Sequence, residues 1–398
     1  MTHFADPDRR SHCLTGATGF VGAALALEIL KQTSDPVSCI VRGNASGESP
    51  SQRLLSALTD TVRGSGDLYD STRIDRGCSA VEGDLVSPRC GVDPDRLGGI
   101  SDFWHCAASL KFSNEDRDEI FEHNVEGTRH AIELARAIGC KHFHYISTAY
   151  VAGSSEGLIA EGPAKSKSAL NNCYEESKFE AERVVAESGL PFRIIRPSIV
   201  IGYSSTRWSS SDSGFYGYIK KVAQLYQLLE SQGKASLLPE ITVPGDPNAR
   251  LNLVPVDLVA RIAVQTGLSE SAERYFHICS GASPTLGEMQ SHIMPQVGFG
   301  GPWISRRPAG GAHPEYGQLI EEGMTFYKSY LTGVKEFSRE NTLAAIGVDE
   351  APEPVTLDEL SEYALRFLKD SQLLPSHQQV APSPRLDTTP RATWPSPG

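Results

Sequence analysis

From residue 12 to about 200, short apolar runs alternate with segments whose apolar positions recur every three to four residues. The runs lie at 12–15, 37–41, 79–82, 102–105, 143–147 and 192–196. Short, nearly continuous apolar runs suit strands buried on both faces. The periodic segments between them, 120–138 and 175–188 among them, read as amphipathic helices. Strand-helix alternation of this kind predicts an α/β fold built on a doubly wound parallel sheet. After residue 203 the pattern changes. Residues 203–217 are rich in Ser, Gly and aromatics, 218–229 is again helical, and 284–370 mixes helices and loops with no period of two.

This predicts a doubly wound (Rossmann) lobe over 1–203, to which the chain returns at about 250–282. A smaller C-terminal substrate lobe would come from 204–249 and 283–373. Residues 374–398 hold six prolines in 25 positions, which reads as a disordered tail, since such a composition buries too little apolar surface to order itself. No internal repeat is visible.

Composition narrows the function classes. With 39% apolar and 22% charged residues the chain is globular. A formal charge of −12, from 37 basic and 49 acidic residues, argues against nucleic acid or an anionic membrane as main partner. No apolar stretch approaches the roughly 20 residues of a membrane span, and the start, Met1 to Asp8, has no signal-peptide pattern. Eight scattered cysteines do not form a disulfide framework. A reduced, cytoplasmic setting is expected.

The strongest local signal is Thr15-Gly16-Ala17-Thr18-Gly19-Phe20-Val21-Gly22, directly after the first strand. Gly16 permits a tight turn, Gly19 lets backbone approach a pyrophosphate, and Gly22 allows close helix-strand packing. The helix N-terminus then faces phosphate with unsatisfied N–H groups. At the end of the second strand, where an acid would favour NAD, the chain reads Val41-Arg42-Gly43-Asn44. Arg42 suits a 2′-phosphate through a charge-assisted hydrogen bond, and Arg53 is a second candidate cation, so NADPH is the expected cofactor. Further on, Tyr174 and Lys178 stand four apart on a helix and share a face. A lysine cation beside a phenol should lower its pKa. Upstream, Ser147 and Thr148 end a strand, where open α/β sheets bind ligands.

Together these residues resemble the extended short-chain dehydrogenase/reductase family. Thr15 to Gly22 is similar to its TGxxGxxG, and Gly83-Asp84-Leu85 to its turn near adenine. His105-Cys106-Ala107-Ala108 is similar to its HxAA, and Asn124 to Thr128 to its NVxGT helix. The Thr148, Tyr174, Lys178 set follows, then Arg196-Pro197-Ser198-Ile199-Val200-Ile201-Gly202, like RPxxVxG. The resemblance implies cofactor contacts from Gly16, Thr18, Gly19, Phe20, Val21, Gly22, Arg42, Arg53, Asp84, Leu85, Ala107, Lys178 and Pro197. It implies Thr148, Tyr174 and Lys178 as catalytic residues. Within the family the wording from His105 to Phe112, and from Tyr174 to Glu182, resembles fatty-acyl-CoA reductases and thioester reductase domains. That branch implies reduction of an acyl-CoA or carrier-protein thioester to aldehyde, and further to alcohol in some members. The resemblance fades after Gly202.

Other candidates carry less. His142 and His144 with Cys140 lack a further ligand cluster, so no metal is expected. Cys106 and Cys173 flank the site but read as small-residue filler rather than acyl-accepting thiols. Asn124 reads as a helix anchor before a water-holding residue, and His105 as packing near the cofactor. Residues 203–217 read as a mobile lid, with a long surface loop as the alternative. Two rival functions share the motifs. One is an epimerase, dehydratase or hydroxysteroid-type dehydrogenase on a sugar nucleotide or small carbonyl substrate, and the other is a cofactor-sensing binding protein without catalysis.

Overall fold

The computed structural model describes residues 10–43, 47–165, 167, 170–301, 303–306, 313, 315–316 and 333–375. The expected tail, 374–398, lies outside the described residues except for its first two positions. Seven strands form one sheet: β1 His12–Thr15, β2 Val37–Val41, β3 Cys78–Glu82, β4 Asp102–His105, β5 His142–Ile146, β6 Phe192–Pro197 and β7 Tyr275–Ile278. Every pairing in it is parallel, in the spatial order β7-β6-β5-β4-β1-β2-β3. The order turns back on itself between β1 and β4, which opens a crevice beyond their carboxyl ends.

Helix α1, Phe20–Thr33, leaves β1 through the glycine loop and is stopped at Ser34 in a left-handed conformation (φ 63°), whose N–H bonds Leu30 O. Helix α2, Pro50–Gly64, starts from a capping box in which Ser49 and Gln52 satisfy each other's backbone N–H groups. The apolar segment at 120–138 is not one helix. Arg117–Phe121 is α-helical, Glu122–Glu126 forms a π turn, and α3 runs over Gly127–Ala137. A π turn adds one residue to the local repeat; this one contains Asn124, which is tied at both ends of its amide to other elements. Helix α4, Cys173–Ala186, is capped by Asn172, whose side chain accepts from Glu175 N.

Helix α5, Phe215–Ser231, leads to α6, Val256–Leu268, which lies against α1 on one face of the sheet. Leu14, Ala24, Leu27, Val259 and Ala263 share that layer's core, and Phe103, Phe143, Leu134 and Val185 fill the opposite layer. A third core is separate. It joins α5 to α7, Leu286–Gln296, and to α9, Leu357–Asp370, through residues such as Val222, Leu229, Met294, Tyr363 and Leu368. Helix α8, Glu340–Ile346, lies between them in the chain. Three pairs of three-residue strands (Ile199–Ile201 with Leu253–Pro255, Thr242–Pro244 with Trp303–Ser305, Gly157–Ile159 with Lys335–Phe337) stitch the later segments to the rest. Strands this short carry no readable alternation. Among the described residues no helix is long and apolar enough to cross a membrane, and all eight cysteines are free thiols.

Four histidines, His12, His105, His144 and His277, are buried on strands of the sheet. Trp104 Nε1 donates to His12 Nδ1 at 3.2 Å, His105 sits between two threonines, and His277 Nδ1 lies 2.9 Å from Ser338 O. Burial pushes their pKa values down, to about 4 for His12, about 3 for His105 and about 4 for His277. The unfolded chain therefore takes up protons below pH 6.5 that the fold refuses, and stability falls as pH falls. Each such histidine contributes a loss of about 1.4 kcal/mol per pH unit between 6.5 and its folded value. Urea unfolding at pH 7.5, 6 and 5 should show a steep decline, and a flat profile over that range would contradict this account.

Candidate functional site

A cleft of about 590 Å³ opens over the carboxyl ends of the central strands. Its floor begins with the glycine loop. Gly16 has φ 83°, and a Cβ there would stand 2.7 Å from Ala107 N, so turn and crowding both require glycine. A Cβ on Gly22 would meet Gly16 O at 2.0 Å, so this glycine lets α1 close on the loop itself rather than on a strand. Gly19 differs, because a Cβ there meets protein only at 3.4 Å. Its missing side chain leaves the space above the first N–H groups of α1 open, as a phosphate cradle needs.

Arg42 and Arg53 stand at one end of this cleft with Asp84 and Leu85. The Arg42 guanidinium is 4.0 Å from Asp84 Oδ2 and mostly exposed. Arg53 Nη1 donates to the Arg42 carbonyl, so part of its role is to hold the end of β2. Toward the other end Thr148, Tyr174 and Lys178 line the cleft, with Ala107 after β4 between and Pro197 at the end of β6 beyond. Every residue singled out from the sequence as a cofactor or catalytic candidate thus faces one cavity.

Lys178 is 2% exposed. Its ammonium donates to Ile146 O at 2.7 Å and sits 4.3 Å from the centre of the Tyr145 ring. Burial lowers its pKa to about 8, against the opposing pull of Cys106 and Glu182. The i, i+4 spacing predicts that this cation depresses the Tyr174 phenol. The structure corrects that: desolvation, then Cys106 and Glu175, push the phenol up. The lysine charge is spent on the Ile146 carbonyl and the Tyr145 ring, and poor solvation of the phenol dominates. Thr148 Oγ1 accepts from Tyr150 N at 3.2 Å, which fixes the hydroxyl and leaves its proton free to donate.

Behind these residues runs a closed set of hydrogen bonds. Thr128 gives its one hydroxyl proton to Asn124 O at 2.6 Å, so toward His105 Nε2, 3.0 Å away, it can only accept. His105 therefore carries its proton on Nε2, and Nδ1 accepts from Thr15 Oγ1 at 2.7 Å. Thr15 Oγ1 in turn accepts from Ala107 N at 3.3 Å. The Asn124 amide accepts from Ser109 N at 2.6 Å and donates to Ser109 O and Ser177 Oγ at 3.0 and 2.9 Å. Both residues are framework.

Residues 14–263 match the family model described as Male sterility protein, an NAD-binding domain. The chain belongs to that family. Within the extended short-chain dehydrogenase/reductases it resembles the fatty-acyl-CoA reductase and thioester reductase branch. A linear gramicidin synthase of Brevibacillus parabrevis is 29% identical over 287 residues, 69% of this chain but 5% of that protein. Fatty acyl-CoA reductase 1 of Homo sapiens is 27% identical over 327 residues, 71% of this chain and 60% of that protein. The terminal R domain of the myxalamid PKS-NRPS pathway shares the fold, with a TM-score of 0.73 and 24% identity over 92% of both chains. The chain thus spans less than two thirds of these two curated relatives.

The remaining candidates of this Male sterility family member fall into place. Cys106 lines the cleft, but burial raises its thiol to about 11. Cys173 is buried outside the cleft, its thiol donating to Asn114 Oδ1 at 2.9 Å. His144 Nε2 and His142 Nδ1 approach Asp102 Oδ1 at 2.9 and 3.5 Å; among the described residues no group of His, Cys, Asp and Glu is arranged to hold a metal.

The expected lid is only partly one. Thr206 Oγ1 donates to Gly64 O at 2.6 Å, Trp208 stacks on Tyr203, and Arg207 pairs with Glu359 and Glu362 of α9, so 203–208 is fastened down. Ser211, Ser213 and Gly214 continue as a wall of the cleft. That wall falls within the segment singled out from the sequence, whereas Glu119 and His123, which line the cleft from the helix before the π turn and from the turn itself, were missed.

Thr128→Val tests the framework. It leaves His105 Nε2–H buried without an acceptor, which should cost about 1–3 kcal/mol. Denaturant midpoints measured near neutral pH should fall accordingly with the slope unchanged. An unchanged midpoint would refute the proton assignment.

Proposed function

We propose that this chain is an NADPH-dependent reductase of acyl thioesters, carried on coenzyme A or on a carrier protein's pantetheine arm. The observation that carries the reading is that Thr148, Tyr174 and Lys178 share one cleft with the glycine loop and Arg42. Membership of the Male sterility family and the 27% identity to fatty acyl-CoA reductase 1 of Homo sapiens support it. The nucleotide fits the residues present: open space at Gly19, two guanidinium groups at the adenosine end, and a buried ammonium at the other. We assign 1–203 and 250–282 to cofactor binding and 204–249 and 283–373 to the acyl group.

NADPH, when bound, supplies the hydride. The chain's own residues prepare the carbonyl. Thr148 has a proton to donate, and Tyr174 keeps its phenolic proton because its pKa is raised. Both then act as neutral donors to the oxyanion that develops on the thioester oxygen, where preorganised donors are most effective. Lys178 is held by Ile146 O and fixes the sugar of the cofactor's reactive half. The tetrahedral oxyanion formed by hydride addition then collapses, its C–S bond breaking to leave the aldehyde and a thiolate that takes a proton from solvent. Cys106, protonated at neutral pH, stays out of the chemistry.

Oxidation of NADPH, followed against a panel of acyl-CoAs, acyl-carrier conjugates, ketones and sugar nucleotides with product identification, tests the activity. Turnover of ketones or sugar nucleotides alone would sink it. Tyr174→Phe should lower kcat by about 10²–10⁴-fold with NADPH affinity nearly intact. Lys178→Ala should damage both, and Cys106→Ala neither.

Arg42→Glu tests the choice of nucleotide separately. It should weaken NADPH binding on the order of tenfold or more while sparing NADH, since a charge-assisted contact becomes a repulsion. Equal losses for both nucleotides would return the preference to NAD.

A further inference from the structure

The cleft contains a buried hydroxyl that no described protein group satisfies. Ser147 is 5% exposed and lines the cleft, and its Oγ has no hydrogen-bond partner among the described residues. The residue itself is fixed, because its N–H donates to Ile195 O at 2.7 Å. An unpaired buried hydroxyl costs about 1–3 kcal/mol, and buried polar groups are otherwise almost always bonded. Alanine would fill the same space without that cost.

Its place says what it serves. Side chains alternate along a strand, so Ser147 continues the face of Tyr145. That is the ring over which Lys178 Nζ sits, and the same ammonium bonds the carbonyl of Ile146, the residue next to Ser147. The orphan hydroxyl therefore stands at the lysine end of the cleft, away from Arg42 and Arg53. A thioester carbonyl only accepts, and Thr148 already has a proton for it. A vicinal sugar diol both donates and accepts, which matches a hydroxyl beside an ammonium that can only donate.

We propose that Ser147 Oγ binds a hydroxyl of the ribose on the nicotinamide side of NADPH, next to Lys178. The proposal rests on the reading that the nicotinamide half lies at Tyr174 and Lys178. Serine is kept at a cost in stability because its partner arrives with the cofactor.

Ser147→Ala separates this from a structural role by three measurements. Affinity for NADPH, read by fluorescence titration, should fall about fivefold to tenfold, the worth of one hydrogen bond. Affinity for adenosine 2′,5′-bisphosphate, which lacks that ribose, should stay unchanged. The melting temperature without nucleotide should hold or rise by about a degree or more. Unchanged NADPH affinity overturns the proposal, as does a rise confined to the KM for thioester, which would give the hydroxyl to the substrate. A joint loss of both affinities with a lower melting temperature also overturns it, by making Ser147 a packing residue. Wild-type protein that binds adenosine 2′,5′-bisphosphate but gains nothing from the nicotinamide half would sink the underlying placement instead, whatever the variant does.

Discussion

A single neutral imidazole joins the parts of this protein that bear on its chemistry. His105 ends β4, accepts from Thr15 at the end of β1 and donates to Thr128 on α3. Through Thr128 and Asn124 the same chain reaches Ser109 and, on α4, Ser177, one residue before Lys178. Four elements far apart in sequence are thereby fixed to one another by groups that each have one permitted proton. Because the imidazole is buried and its pKa is pushed to about 3, it does not become a cation at physiological pH. An imidazolium would need two acceptors, and Thr15 could accept from Nδ1–H only by turning its proton elsewhere in a buried site.

The order of the sequence motifs follows from this geometry. Glycine loop, strand-four histidine, asparagine-threonine helix and Tyr-Lys helix are not separate devices that happen to recur together. Each supplies one link, and the cleft exists where the links converge. The lysine shows the same economy: its 2.7 Å bond to Ile146 O places the ammonium at the mouth of β5 and also binds α4 to the sheet. The buried pair Arg196–Glu182, with bonds of 2.6 and 2.8 Å, ties the same helix to β6. Helix α4 is thus held at several points along its length, and the residues it presents to the cleft inherit that rigidity.

The strands of the sheet were legible because both of their faces are buried, which leaves short apolar runs such as Phe192 to Arg196 between polar turns. The residues around the cleft were legible because glycine and the Tyr-Lys spacing leave little freedom in local conformation. Two kinds of feature were not. The π turn at Asn124 comes from long-range bonds to Ser109 and Ser177, and a helical periodicity that continues through it gives no sign of the extra residue. The direction of the Tyr174 shift depends on what else surrounds the phenol, and the i, i+4 spacing to Lys178 contains none of that.

The far wall of the cleft was the least legible part, for a physical reason. Its shape comes from Arg207, a non-glycine residue at φ 61°, a conformation that costs stability unless the surroundings impose it. They do: its guanidinium bonds Glu359 and Glu362 and lies 5.0 Å from the centre of the Tyr363 ring, all on α9, some 150 residues later in the chain. On the other side Trp208 fits against Gly64, where a Cβ would stand 2.0 Å from the indole. The segment is therefore a strap between the end of α2 and the last described helix, and Ser211 to Gly214 stand where that strap leaves them. A wall set by contacts between α2 and α9 can change with substitutions in either helix while the floor, fixed by the His105 chain, stays as it is. That separation lets the wall change shape over an unchanged floor.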